Sequence, residues 1–373
     1  MFDLDKPQEQ SQTAPTATTQ EPTATEAAPA PQPATEPLAA TTSPAATATA
    51  DAPPAAEPAP GLGAEPATTT TTVTTPTPAP ESEAPAAAEE KNESVKPDYF
   101  TKTPALEQLF DRLPSILSKT GHEEMWGVPL KHEATDVPTI NVLIKFLRAN
   151  AGDLKLAEEQ LTKALEWRQN LDPLSLVDES KNKYDADKFS GLGYLTTYER
   201  EDKGNLVVTW NIYGAVKKID ETFGDLDEFI KWRVALMELA VQELGMDKAT
   251  SVIDYDGEDS YQMIQVHDYL NVSFFRLNPN IRAATKKTIE VFSTAYPELL
   301  REKYFVNVPS IMGWMFSLVK LFVNPNTTRK FHPISNGTNL AREFPGVAQK
   351  FPKNYGGDGP ELEGSARTVA LNH

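Results

Sequence analysis

Hydrophobic positions recur with two different periods along this chain, and the change of period divides it. From Pro104 to about Asn170 they fall three and four residues apart, as in Val142/Leu143/Phe146/Leu147 and Leu154/Ala157/Leu161/Leu165, the spacing of helices that bury one face. After Pro173 come runs rich in β-branched and aromatic residues, GLGYLTTYE and NLVVTWNIYG, followed by a helical stretch from about Leu226 to Leu244. QMIQVHDYLNVSFFRL, a second helical stretch from about Ile281 to Phe292, and KYFVNVP complete the alternation. Strands alternating with helices predict an α/β layer with a mainly parallel sheet, preceded by a small helical domain.

In QMIQVHDY the period of two sends Met263, Gln265, His267 and Tyr269 to one face, and Ile264, Val266 and Asp268 to the other. A His and a Tyr therefore point the same way, about 7 Å apart along the strand. After Pro309 the run SIMGWMFSLVKLFV is apolar on nearly every side. It is either a helix buried between layers or a lid that covers an apolar ligand and meets a bilayer when open, and the pattern fits both. Strands, an all-round apolar helix and a few isolated polar groups together predict the wall of a ligand cavity.

Composition then sets the limits. Residues 1–96 are almost wholly Ala, Pro, Thr and Glu, with no periodic apolar pattern, and are expected to form a disordered tail. They hold 14 acids and 3 bases, so 11 of the 18 net negative charges belong to that stretch and the rest of the chain is only mildly acidic. The expected divisions are 1–96 tail, 97–172 helical domain, 173–344 α/β domain and 345–373 an irregular C-terminal segment. Acidity argues against a nucleic-acid partner. MFDLDKPQEQ lacks an apolar core and no later run approaches a bilayer span, so the protein is expected to be cytoplasmic, neither secreted nor membrane-spanning. Zero cysteines exclude disulfides, thiolate metal sites and cysteine nucleophiles.

Enzyme motifs are missing from the sequence: no GxSxG, no GxxxxGK[ST], no HExxH and no GxGxxG. A binding protein is expected in place of an enzyme. The acidic run from Asp254 to Asp259 lacks the length and the terminal Glu of a calcium loop and is read as a solvated turn.

The order of elements resembles the CRAL-TRIO (Sec-fourteen) lipid-binding family. FLRANAGDLKLAEEQLTKALEWR is similar to its helical entry domain, and YPELLREKYFVNVPSIMGWMFSLVKLFVNPNTTRKF to its strand, gate helix and following turn. WNIYG, FIKWRVALMELA, QVHDY and YPELLREKYFVNVP resemble in particular a fungal non-classical phosphatidylinositol-transfer subgroup that binds haem. That resemblance implies haem b as cofactor, Tyr269 as its axial iron ligand, and His267, Tyr213, Arg233 and Lys303 lining the site. It also implies that Glu298 and Lys330 meet the inositol phosphate. Where classical members carry a base just after FLRA, this chain has Ala151, so that contact is not carried over. Phosphatidylinositol, haem and the cytosolic face of the endoplasmic reticulum or microsomal membranes are the implied partners, and a homodimer is left open.

Read without the resemblance, these residues have simpler roles. A His and a Tyr on one strand face are hydrogen-bonded core groups, Tyr213 a strand-end aromatic, Arg233 a solvated or paired base, Glu298 a helix-start cap, and Lys330 a surface base. A phenolate is nonetheless a hard oxygen donor suited to ferric iron, and Tyr ligation of haem occurs in catalase. The alternatives to a carrier are a peroxidase-like haem enzyme and a lipid-sensing scaffold recruited through the acidic tail.

Overall fold

A computed structural model of the chain describes residues 96–201, 204–272, 278–309 and 328–372. The Ala/Pro/Thr/Glu-rich stretch to residue 95 and the apolar segment 310–323 lie outside the described residues.

The helical part comprises α1 (Asp98–Lys102), α2 (Pro104–Thr120), a minimal hairpin of β1 (Glu124–Met125) and β2 (Val128–Pro129), α3 (Val137–Ala149) and α4 (Leu154–Leu171). Its boundaries follow from end chemistry. Pro104 opens α2, and Gly121 at φ 64° closes it with its amide on the Leu117 carbonyl. The Asp136 and Asp153 carboxylates accept from the Thr139 and Leu156 amides at the starts of α3 and α4. Val142, Leu143, Phe146, Leu147, Ala157, Leu161 and Leu165 are all buried, as the three-and-four spacing predicts. Each large aliphatic among them contributes roughly 1.5–3 kcal/mol by leaving water.

Next come β3 (Tyr184–Asp185), α5 (Ala186–Phe189), β4 (Gly193–Tyr198), β5 (Leu206–Ile212), α6 (Ile219–Phe223), α7 (Leu226–Leu244), β6 (Met263–Asp268), α8 (Pro279–Ala295), β7 (Leu300–Val306), β8 (Phe331–Ile334) and β9 (Leu371–Asn372). The five-stranded sheet has the order β4-β5-β6-β7-β8, with β4 antiparallel to β5 and the other three pairings parallel. The expected α/β fold with a mainly parallel sheet is thus the one present. The strand expected at KYFVNVP begins three residues earlier, at Leu300, because the ladder to β6 already pairs Leu300 with Met263.

Each face of the sheet has its own cover. Leu195, Val207 and Met263 join the core made with α7, α8 and the helical part. Val208, Trp210, Ile264, Val266, Tyr304 and Val306 pack instead against Leu340, Val347, Phe351, Tyr355 and Leu362. That second cover is a succession of short 3-10 turns, and Leu371–Asn372 ends it by pairing with β3. The segment after Pro345 is irregular, yet its apolar side chains complete the core.

Two buried ionic clusters join the helical part to the α/β part. Arg168 donates to Glu238 at 2.6 Å and to both Glu124 oxygens at 2.9 Å, with Tyr296 donating to the same Glu238 oxygen at 2.5 Å. Lys145 donates to Asp259 at 2.5 Å and to the carbonyls of Tyr261 and Glu298. Asp259 is therefore not part of a solvated turn: it is 8% exposed and serves as counter-ion to a lysine whose side chain is fully enclosed. Burial, only partly offset by Asp259, still brings that lysine down to about 8.

Candidate functional site

Parallel register places the functional side chains in rows. Asn211 of β5, His267 of β6 and Phe305 of β7 stand side by side, and Thr209, Gln265 and Lys303 form the row below. All six occupy the strand positions whose parity matches Met263, on the face toward α7 and α8. The period-two reading of QMIQVHDY therefore holds: Ile264 and Val266 lie in the opposite core, and Asp268 accepts from Tyr355 behind the sheet.

Just beyond the strand ends, Tyr213 and Tyr269 close over His267. The Tyr213 ring centroid is 5.3 Å from that of His267 and 5.5 Å from that of Tyr269, which lies 6.3 Å from Phe305. Arg233 on α7 places its guanidinium 5.3 Å from the Phe292 ring centre, and the Lys303 ammonium lies 5.5 Å from Phe305 and 5.7 Å from Phe331. The five residues expected around an iron, Tyr213, Arg233, His267, Tyr269 and Lys303, are thus brought together.

The electrostatics of this group are one-sided. Neither Arg233, 2% exposed, nor Lys303 has a carboxylate partner among the described residues. The buried Arg233 Nε and His267 Nε2 have no hydrogen-bond partner there either. Burial, then the Arg233 charge, brings Lys303 down to about 7. Burial followed by the charges of Lys303 and Arg233 holds His267 well below its ordinary value, so it is neutral at physiological pH. Burial and Tyr213 raise the Tyr269 phenol while Arg233 opposes them, and Tyr269 alone stays protonated. Buried cations without counter-ions cost stability. A ligand bearing anionic groups would remove that cost.

These residues fit haem. Tyr269 supplies a hard oxygen donor, whose proton a ferric ion's charge would displace. Arg233 and Lys303 are cations without a carboxylate partner among the described residues, suited to a ligand's carboxylates, and the rings of Tyr213, Phe292 and Phe305 offer apolar surface.

Glu298 and Lys330 form a second, separate pair at the other end of the parallel strands, just before β7 and β8. Lys330 Nζ lies 3.4 Å from Glu298 Oε2 and donates to the Leu300 carbonyl at 2.8 Å. No helix begins at Glu298. It sits between α8 and β7 at φ 56°, with its carbonyl held by Lys145 and by Gln262 at 3.1 Å, so the helix-capping alternative does not apply. Ala151 occupies the exposed turn between α3 and α4 at φ 51°. A surface cleft of about 670 Å³ includes neither Glu298, Lys330 nor the group around Tyr269, and is lined by Arg148, Glu243, Asp259 and Arg301 among others.

Three contributors escape a reading of the sequence alone. Asn211 has a buried, unpartnered Oδ1 beside His267, which only the register reveals. Phe292 lies under Arg233 from a helix 59 positions away in number. Gly214 of WNIYG is needed because a Cβ there would stand 1.8 Å from the Leu270 carbonyl oxygen, against the turn that follows Tyr269. An isolated Gly after a strand was the available signal.

An N-terminal helical unit, a mixed sheet with three parallel pairings and a polar cluster on its helix-covered face define the class. Residues 190–357 match the CRAL/TRIO domain and residues 105–163 the CRAL/TRIO N-terminal domain, and the chain belongs to this family. A relative from Emericella nidulans named "Phosphatidylinositol transfer protein sfh5" is 80% identical over 76% of this chain and 69% of its own length. One of the same name from Aspergillus clavatus is 70% identical over 74% of this chain and 63% of its own length. The solved structure "Crystal structure of Sfh5" is 27% identical, with a TM-score of 0.56 over 74% of this chain and 91% of that one.

Proposed function

We propose that this protein is a carrier that binds phosphatidylinositol and haem b and exchanges a hydrophobic ligand at membrane surfaces, without catalysing a reaction. The observation that carries the haem part is the pair of buried cations, Arg233 and Lys303, that stand beside Tyr269 with no counter-ion among the described residues. The lipid part rests on family membership and on the printed names of the relatives. In this reading Tyr269 would hold the iron, Arg233 and Lys303 would take the propionates, and His267 and Tyr213 would line the site. Haem would supply a redox-capable ferric centre. Glu298 and Lys330 would meet the inositol phosphate, the ammonium as a point charge. The expected place of work is the cytoplasm and the cytosolic face of the endoplasmic reticulum, with a role in phosphoinositide homeostasis and in the response to oxidants or haem. Among the described residues no helix is long and apolar enough to cross a membrane.

Absorption spectroscopy of the purified protein, together with transfer of labelled phosphatidylinositol between vesicles, tests the two parts separately. A colourless protein that does not take up added haemin removes the first. Transfer no faster than spontaneous exchange removes the second. Lys330→Ala is expected to slow transfer about tenfold, the equivalent of one charge-assisted hydrogen bond, while leaving the haem spectrum unchanged.

The lowered Lys303 gives the haem reading a pH dependence. In the ligand-free protein the lysine is charged below about pH 7 and neutral from there to its ordinary 10.5. Its cost to folding is therefore full below pH 7 and fades as pH rises through that window, since the unfolded chain holds the proton longer. An anionic ligand has the opposite preference and is bound most tightly with Lys303 charged. Ligation would release the Tyr269 proton while Lys303 takes one up above pH 7, so haemin affinity is expected to rise by at most about tenfold per pH unit below pH 7 and to level off above it. Lys303→Met should let the rise continue between pH 6 and 9, whereas an unaltered plateau would assign the second proton elsewhere.

A further inference from the structure

Asp268 lies between His267 and Tyr269 in sequence but on the opposite face of the sheet. It is 5% exposed and accepts three hydrogen bonds. Its Oδ1 accepts from the Leu270 amide at 2.8 Å and from Asn307 Nδ2 at 2.7 Å, and its Oδ2 from the Tyr355 hydroxyl at 2.7 Å. All three donors are neutral, so a buried carboxylate is held by geometry alone and with no cation beside it among the described residues. Enclosing a charge this way is costly, and an apolar residue at the same point of a strand end would avoid it.

The donors come from three separate parts of the chain, and each fixes the place where the backbone leaves the sheet. The bond to Leu270 is an Asx turn that bends the chain immediately after Tyr269. Asn307, just past β7, sits at φ 60° and uses its own Oδ1 to accept from the Gly337 amide at 2.7 Å. Tyr355 belongs to the C-terminal cover, where its ring lies 4.7 Å from Trp210, and Gly356 after it at φ 89° allows the approach to the Thr338 carbonyl. Tyr269 itself donates its amide to Val306 at 3.1 Å and accepts from the Val272 amide at 3.0 Å. Its backbone is thus clamped on both sides of the point where Asp268 turns the chain.

We propose that Asp268, anchored from behind the sheet by Tyr355 and Asn307, is the positioning residue that sets the direction of the Tyr269 phenol toward an iron-bearing ligand. The inference rests on the haem reading above. It assigns to the C-terminal cover a second role besides filling the core: Tyr355 transmits the placement of that segment to the ligand-binding face through one carboxylate. Asp268 touches no ligand and acts only through the turn.

Tyr355→Phe removes one hydroxyl and keeps the ring against Trp210, so the fold is retained. Leu362→Ala, a cavity-making change elsewhere in the same cover, serves as the comparison. Three quantities are measured on the full chain: haemin affinity, the phenolate-to-iron charge-transfer band, and hydrogen exchange at the Tyr269 and Leu270 amides without ligand. Tyr355→Phe is expected to weaken haemin about tenfold, shift the charge-transfer band and speed exchange at Leu270. Leu362→Ala should lower the melting temperature with the band unmoved. A wild-type band and affinity in Tyr355→Phe overturn the proposal, as do equal spectral effects in both variants, which would signify general loosening. If the unmutated protein takes up no haemin, the haem reading fails with it, and that result precedes any variant.

Discussion

Tyr269→Phe is expected to yield a folded protein without a haem band. The change deletes the phenol oxygen assigned to the iron, and keeps a ring that packs at 5.5 Å from Tyr213 and 6.3 Å from Phe305. Loss of an outer-shell partner alone costs about 10–100-fold in metal affinity, so loss of the ligand itself should exceed about 100-fold. His267 cannot replace it as a charged group, because burial and two neighbouring cations keep it neutral. As a neutral imidazole on the same strand it is a candidate substitute donor, and Tyr269→Phe/His267→Ala closes that route. The measurements are haemin titration and the visible spectrum, with circular dichroism for the fold. A retained charge-transfer band in Tyr269→Phe would place the iron ligand elsewhere. Phosphatidylinositol transfer in the same variant should survive, since Glu298 and Lys330 lie at the opposite strand ends, so a parallel loss of both activities would argue for one shared set of contacts.

Parts of this arrangement are legible in the sequence because they depend on local period. The spacing of Val142, Leu143, Phe146 and Leu147 gives α3, and the alternation in QMIQVHDY gives the two faces of β6 before any partner strand is known. What stays hidden depends on distant pairing. Asp259 looks like one acid among several in a turn, and only its position 114 residues from Lys145 in number, yet within 2.5 Å in space, makes it a buried counter-ion. The partners of Asp268 stay hidden because the cover that encloses it, from Leu340 to Leu362, is made of 3-10 turns with no helical or strand period to detect. The chemical group of Tyr213, Arg233, His267, Tyr269 and Lys303 is likewise scattered over 91 positions, and its residues suggest a common site only through resemblance until the register aligns them.

The other large effect concerns the joint between the helical and α/β parts. Arg168→Ala is expected to destabilise the fold by about 3–5 kcal/mol, the cost of leaving a buried charge without its partner. Arg168 and Glu238 side chains are both fully enclosed, and the arginine is shared between Glu238 and Glu124. Burial disfavours the guanidinium charge, but Glu238, Tyr296 and Glu124 outweigh it and raise its pKa, so no accessible pH relieves the cluster by deprotonating the arginine. Without Arg168, Glu238 retains among the described residues only the Tyr296 hydroxyl as a donor. Since whole domains are stable by about 5–15 kcal/mol, the loss is at least about a fifth of the total and most of it in a domain at the low end. Denaturant unfolding of the single and double variants measures it. Arg168→Met/Glu238→Leu should recover most of the loss, because replacing both ions by apolar groups removes the desolvation cost along with the attraction. An unchanged midpoint in Arg168→Ala would mean that Glu238 finds another partner or water. The haem spectrum distinguishes stability from site geometry here: Tyr296 packs on Phe292, and Phe292 on Arg233, at 5.4 and 5.3 Å. A band that shifts in Arg168→Ala well below its melting temperature would show that this joint also positions Arg233, whereas an unshifted band confines its role to holding the two parts together.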